Sequence, residues 1–307
     1  MNSPRMSAGV GAAALTLSTW ATLTADAPRV APEVASDVTP EGVRHHRRHR
    51  DADDRDDRDA RHHRHHRAPD AAPSAPAPNV PVAPAGQCPE GTVRVTGDFC
   101  PEVRQECLEM SDDERERCLH FRKPTRCRSR RTRPMDFCID RYEWPNREGA
   151  APAVVVSWNE AADLCRRAGR RLCTEDEWTL ACEGPAMLPY PWGYDRDATT
   201  CNIDRHNLEY ERDVVTGNDR ERAAEEAARV SQAAPSGAYP RCESPYGARD
   251  MTGNVDEWAV SRTGAPHQSV LKGGYWGRVR TRCRPATRRH DEGFRYYQIG
   301  FRCCADL

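Results

Sequence analysis

The side chains of this 307-residue chain best suited to chemistry are its 14 cysteines, all of which lie from Cys88 onward. Thiolates attack electrophiles and bind soft metals, whereas paired cysteines only brace a fold, and an even number in one stretch favours pairing in an oxidising compartment. The first six, Cys88, Cys100, Cys107, Cys118, Cys127 and Cys138, surround the phrase ECLEMSDDERERCLH. Their spacings are long for a zinc site, so they read as a disulfide-stapled insertion at about residues 100–136. Among the others, Cys201 with Cys242 or Cys283, and Cys165 with Cys173, are candidate pairs. A second signal is DMTGNVDEW, where Asp250 and Glu257 flank a glycine turn. Their oxygens either converge on one hard cation or cap the turn by accepting backbone N–H groups. His120, His206, His267 and His290 stand at no spacing that suggests a facial iron triad.

Short elements between many turns must position these groups. Val154, Val155 and Val156 suit a buried strand, and Ser157 with Glu160 then forms a capping box opening a helix to about Ala168, with Gly169 as its stop. Thr174 and Glu177 repeat the device for a second helix, ending near Gly184. Residues 219–232 have high helix propensity but little apolar face, so the sequence predicts an exposed helical insertion. Trp144, Trp158, Trp178, Trp192, Trp258 and Trp276 read as core packing. Strands and helices do not alternate as in a parallel sheet, which excludes Rossmann and barrel enzymes.

Residues 1–27 offer Arg5, a weakly apolar stretch and small residues near Ala25, and read as an export signal, with a membrane anchor as the other reading. Residues 28–87 hold the run RHHRRHRDADDRDDRDARHHRHHR and Pro/Ala-rich flanks, and cannot bury enough apolar surface to fold. The run reads as a solvated spacer; metal binding or a cationic brush near pH 6 that associates with the cell envelope are its other readings. Lys+Arg 46 against Asp+Glu 47 leaves a formal charge of -1, which gives no support for nucleic acid as a partner. Only Lys123 and Lys272 among the basic residues are lysine, a skew that looks more like coding bias than a designed patch.

Six phrases now stand in order: FCIDRYEWPN, VSWNEAADLCRRAGRRLCTEDEWTLACEGP, YPWG, DMTGNVDEW, KGGYW and GFRCC. Together they resemble the formylglycine-generating enzyme family, also called the sulfatase-modifying factor domain, over residues 88–307. The resemblance implies an α+β, C-type-lectin-like fold with much irregular structure, held by disulfides and calcium. It places calcium at Asp250, Gly253, Val255 and Glu257, and a second calcium beginning at Asn202 and Ile203. It also implies a disulfide from Cys182 to Cys303 or Cys304. Active relatives use a cysteine pair after the GG motif to bind copper, but the corresponding segment here, YWGRVRTR, contains none, and Cys283 matches a structural cysteine. Copper is therefore not expected. The resemblance puts Tyr275, Arg278, Arg280, Arg282, Tyr296 and Tyr297 where the family builds its ligand groove. Arginine forks beside aromatic rings suit an acidic peptide, a protein or a sugar acid, although a solvated arginine face is the other reading. The expectation is an exported, non-catalytic binding or accessory module. The alternative is an oxidase using Cys283, Cys303 or Cys304 as a rearranged thiolate.

Overall fold

The computed structural model describes residues 86–112 and 117–307. The expected signal peptide, the His/Arg/Asp run and nearly all of the Pro/Ala linker lie outside the described residues, which belong to the unit that ends at Leu307. Its first strand, β1 (Thr92–Phe99), alternates buried and exposed positions and pairs antiparallel with β6 (Arg133–Asp140) along its whole length. Between these neighbours hang β2 (Val103–Arg104), β3 (Cys107–Met110), β4 (Cys118–Phe121) and β5 (Arg126–Cys127), which form two small pairs, β2 with β5 and β3 with β4. Thus the Cys-rich segment is a double hairpin on the turn joining two strands of the main sheet.

The helices start where the caps require. Ser157 accepts from Glu160 N–H and opens α1 (Trp158–Arg167); β7 (Arg171–Leu172) follows, and Thr174 accepts from Glu177 N–H to open α2 (Glu175–Glu183). Then come α3 (Arg212–Val215), α4 (Arg220–Val230), β8 (Asp256–Val260), β9 (Ser269–Lys272), β10 (Ala286–Thr287), β11 (Ile299–Phe301) and β12 (Cys303–Ala305). One sheet runs β1-β6-β12-β7 and the other β10-β9-β8-β11, with β11 parallel to β8. Among the described residues no helix is long and apolar enough to cross a membrane.

All nine residues of α2 are buried, although four of them are acidic. Each acid has an arginine: Glu175 meets Arg288, Asp176 meets Arg133 and Arg262, Glu177 meets Arg171, and Glu183 meets Arg284. A buried carboxylate must be paired to be tolerated. Three of these guanidiniums, Arg133, Arg262 and Arg284, also face the ring of the buried Phe99 at 5.3–5.7 Å. The arginine skew therefore serves the fold here, which composition alone did not reveal.

Two local expectations are corrected. Val154, Val155 and Val156 form no strand, because Val155 takes φ 57 and its N–H turns to Tyr296 O. The helix at 219–232 is not wholly exposed: Ala223, Ala227 and Val230 of α4 are buried against Val215, Trp276 and Tyr297. Alanines count little in a hydrophobic pattern, yet at i, i+4 they let a helix approach aromatic rings closely.

Candidate ligand cleft and buried acidic centre

β9 ends at Lys272, and the chain reverses through Gly273 (φ 86) and Gly274 (φ 76). A Cβ at either position would come within 2.8 Å of Met251 O or Thr281 Cγ2, so only glycine fits this turn. Beyond it, a cleft of about 320 Å3 opens between Tyr275 and Arg280 on one side and His290, Phe294, Tyr296 and Gln298 on the other. Asp256, the first residue of β8, fixes Arg280: Nη2 donates to both carboxylate oxygens at 2.9 and 2.7 Å, while Nε donates to Thr287 Oγ1 at 2.6 Å. Arg280 Nη1 and Gln298 Oε1 are both buried, and neither has a partner. One buried donor and one buried acceptor thus belong to residues that line the same cleft and lack partners, a condition that costs free energy unless a ligand or water meets it.

The cleft wall is aromatic. The His290 ring stacks on Phe294 with centroids 4.0 Å apart, and Phe294 lies nearly parallel to Tyr296 at 5.7 Å. Burial pushes the His290 pKa down, which favours the neutral ring. Tyr296 bonds through its hydroxyl to Tyr210, and burial with that bond raises its pKa. At the mouth stands Arg212, exposed and without an ion pair among the described residues.

The arginines expected in one groove do not share it. Arg280 lines the cleft, but Arg278 reaches His206 at 2.9 Å and Arg282 lies over the Phe121 ring at 5.2 Å. A tight turn bonding Val279 N–H to Gly277 O breaks the alternation, and the bond from Cys283 N–H to Pro189 O carries Arg282 toward Tyr190 and Phe121. Tyr297 is buried against Trp276 rather than lining the cleft. Gln298 and His290 were missed as cleft residues. The only signal was a polar side chain directly before the apolar IGF of β11.

All fourteen cysteines are paired and none is free. The Cys-rich segment pairs internally as Cys88–Cys138, Cys100–Cys127 and Cys107–Cys118, and Cys201 joins Cys242. Cys182 bonds Cys283, not Cys303 or Cys304, and Cys165 does not bond Cys173. Instead Cys165 joins Cys303 and Cys173 joins Cys304. Successive side chains of a strand point to opposite faces, so adjacent cysteines on β12 staple different elements. Cys303 enters the core beside α1, and Cys304 the core beneath α2. Cys283 consequently offers no thiolate, nor do Cys303 and Cys304, which overturns the rearranged-oxidase expectation at those atoms.

The glycine turn leads into a second polar centre. Glu257 accepts Nε and Nη2 of Arg302, each at 2.7 Å, and Trp178 Nε1 at 2.7 Å, all fully buried. Asp250 accepts Gly237 N–H at 2.7 Å, and Glu143 accepts from Ser236, Asn254 and Val255 N–H. Burial, with Glu257's like charge, pushes Asp250 up to about 6 against the pull of Gly237 N–H and Arg302. Burial and the charges of Asp250 and Glu257 raise Glu143 well above the carboxylate range. Of the three buried carboxyl groups only Glu257 bonds the Arg302 guanidinium, and burial favours the neutral forms of Asp250 and Glu143 unless a cation joins them. Asp250 and the turn carrying Gly253 and Val255 have the oxygen chemistry expected for a hard cation, as does Glu143, whose only sequence signal was an acid between aromatics in RYEWPN; both Glu257 oxygens, however, already accept from Arg302, and among the described residues no three His, Cys, Asp or Glu side chains stand together as a metal site. Asn202 and Ile203 do not fit a second cation. Asn202 Oδ1 accepts from Arg205 Nε, and its backbone oxygen from Asn254 N–H, so a positive guanidinium already lies against the amide oxygen.

Comparison with known proteins places this arrangement. The family model "Sulfatase-modifying factor enzyme 1-like domain" matches residues 106–307, and the chain belongs to that family. It is 31% identical over 163 residues to the "Inactive C-alpha-formylglycine-generating enzyme 2" of Bos taurus, covering 50% of each chain. It is 35% identical over 113 residues to the formylglycine-generating enzyme of Thermomonospora curvata, covering 36% of this chain and 33% of that one. The hercynine oxygenase of Mycobacterium tuberculosis is 30% identical over 167 residues, covering 47% of this chain and 34% of that one. Among solved structures, CarF superposes with a TM-score of 0.46 at 15% identity, covering 70% of this chain and 98% of that one. The chain spans about half the length of the first of these curated relatives, or less.

Proposed function

We propose that the chain is an exported, non-catalytic binding module of the family, whose ligand lies in the cleft between Arg280 and Gln298. The observation that carries this reading is the pair of unpartnered buried atoms, Arg280 Nη1 and Gln298 Oε1, in a cleft whose neighbouring segment has no sulfur. The fitting ligand gives an acceptor, such as a carboxylate, to Arg280 and an N–H or O–H to Gln298, and lays a flat face on Phe294 and Tyr296. Acidic peptides and sugar acids have that chemistry, with Arg212 at the mouth for a second negative group. We also propose calcium at the acidic centre, held by Asp250, Glu257 and Glu143 with carbonyl oxygens of Gly253 and Val255, an arrangement in which Glu257 would exchange Arg302 for the ion, since these side chains do not form a metal cluster as they stand. There it would neutralise buried charge and brace the turn that enters β8, whose first residue fixes Arg280. Seven disulfides support export.

Calorimetric titration of the purified protein with an acidic tetrapeptide and with glucuronic acid tests the cleft. Gln298→Leu should weaken the bound probe by tenfold or more, about 1–3 kcal/mol, while leaving the free protein as stable as before or slightly more so. Binding unchanged by Gln298→Leu, or failure of both probes to bind, would remove this reading of the cleft. Conversion of a cysteine peptide to formylglycine would remove the non-catalytic reading.

A further inference from the structure

The double hairpin between β1 and β6 carries cations that no contact of the fold uses. β5 holds Arg126 opposite Arg104 of β2, and the Cys100–Cys127 disulfide closes the pair. Arg128 N–H donates to Glu102 O, and Glu102 N–H to Ser129 Oγ at 2.9 Å, so the strip is fixed along its backbone as far as Ser129. Arg104, Glu106, Arg122, Lys123 and Arg126 line a cavity of about 190 Å3 beside it. Its one carboxylate, Glu106, accepts from both Arg104 and Arg122 at 3.1 Å, and the Arg122 bond holds its pKa down. Arg126, Arg128, Arg130 and Arg131 are exposed and form no ion pair among the described residues. Among the described residues, exposed arginines without an ion pair occur elsewhere in the unit only singly, as at Arg147, Arg212, Arg222 and Arg289, whereas here four fall within six residues; Arg133, two residues further on, already bonds a carboxylate. Like charges held together on a rigid strip are unfavourable unless a counter-charge meets them.

We infer that this strip, which shares no residue with the cleft, is a docking surface for a linear acidic polysaccharide bearing sulfate or carboxylate groups. Arginine forks match two-oxygen anions, and the cavity next to the strip extends the row of sites along a chain. Residues 122–133, RKPTRCRSRRTR, contain no aromatic side chain on which a base could stack and no large apolar side chain to enter a membrane; the exposed Leu108 and Met110 lie on the neighbouring hairpin, in β3, outside the strip. Disulfides on both hairpins suit a compartment outside the reducing cytosol, where polysaccharides are the abundant linear polyanions.

Surface-immobilised dextran sulfate and polygalacturonate are the probes, at an ionic strength of about 0.15 M so that unspecific attraction is screened. The variant R126S/R128S/R130S/R131S should bind both about thirty-fold more weakly, from four contacts of modest size, with an unchanged melting temperature because these side chains hold nothing in place. A second variant with the same charge change elsewhere, R147S/R166S/R167S/R222S, should retain binding within about threefold. Equal weakening by both variants, or none by the first, would overturn the inference. So would tighter binding of short duplex DNA or phosphatidylserine vesicles than of either polysaccharide.

Discussion

Replacing Arg302 by methionine removes the only guanidinium inside the acidic centre while keeping most of the side-chain volume. Arg302 and Glu257 are 0% and 1% exposed in their side chains, so water cannot take over the lost interactions. The variant strips Glu257 of two charge-assisted hydrogen bonds and takes a donor from the carbonyls of Asp140, Arg141 and Arg249, of which Arg141 O still accepts from Arg249 N–H. Breaking a buried pair by deleting one partner costs about 3–5 kcal/mol, which in a domain of this size lowers the melting temperature by roughly 6–20 °C. Circular dichroism melts under non-reducing conditions read this directly. The double variant Glu257→Gln with Arg302→Met should recover most of the loss, since the uncompensated charge is then gone. Adding calcium should raise the melting temperature of Arg302→Met more than that of the parent, because three carboxyl groups then lack any fixed cation. A melting temperature within about 2 °C of the parent, in chelator, would refute the claim that this pair holds the centre.

Three further outcomes follow from particular contacts. In the parent protein, millimolar calcium should raise the melting temperature and chelator should lower it, by mass action on the folded state; no shift would mean that Asp250 and Glu257 act only as turn and ion-pair residues. Changing Cys173 and Cys304 to serine removes a link of sequence separation 131, but Cys165–Cys303 leaves it closing a ring of only roughly ten residues. Denaturant titration should therefore show a loss of about 3 kcal/mol rather than about 5, and a loss above that range would contradict the nested arrangement. Burial opposes ionisation of Glu160, yet Arg295 and the N–H and hydroxyl of Ser157 hold its pKa down to about 2. A carboxyl lowered on folding contributes stability above its unfolded value that is lost as pH falls through its folded one. The stability gap between parent and Glu160→Gln should hence be full above about pH 5 and close toward pH 2; a gap constant with pH would show that charge is not involved.

The features legible in the sequence were those fixed locally. The capping boxes at Ser157 and Thr174 set both helix starts, because three-residue spacing decides whether a hydroxyl and a carboxylate can exchange bonds with backbone N–H groups. The six ordered phrases carried the family. Disulfide pairing was not legible beyond Cys201 with Cys242 as one of two choices, since it depends on which face of β12 each neighbour occupies. The cleft was half legible. Tyr275, Arg280 and Tyr296 were named, whereas Asp256 and Gln298 come together only because β8 and β11 lie side by side at a sequence separation of 43 residues. Burial of α2 was hidden for the opposite reason: four acids suggest solvent, and the arginines that neutralise them come from five separate places in the chain.

Whether any thiolate exists in this domain decides between a binding module and an oxidase. Mass spectrometry of the native protein, alkylated without reduction after incubation with copper(I), counts unpaired cysteines directly. The account predicts that none of the 14 cysteines is alkylated and that no copper is retained. Two alkylated cysteines, or two protected from alkylation only while copper is bound, would contradict it and return the protein to the oxidases.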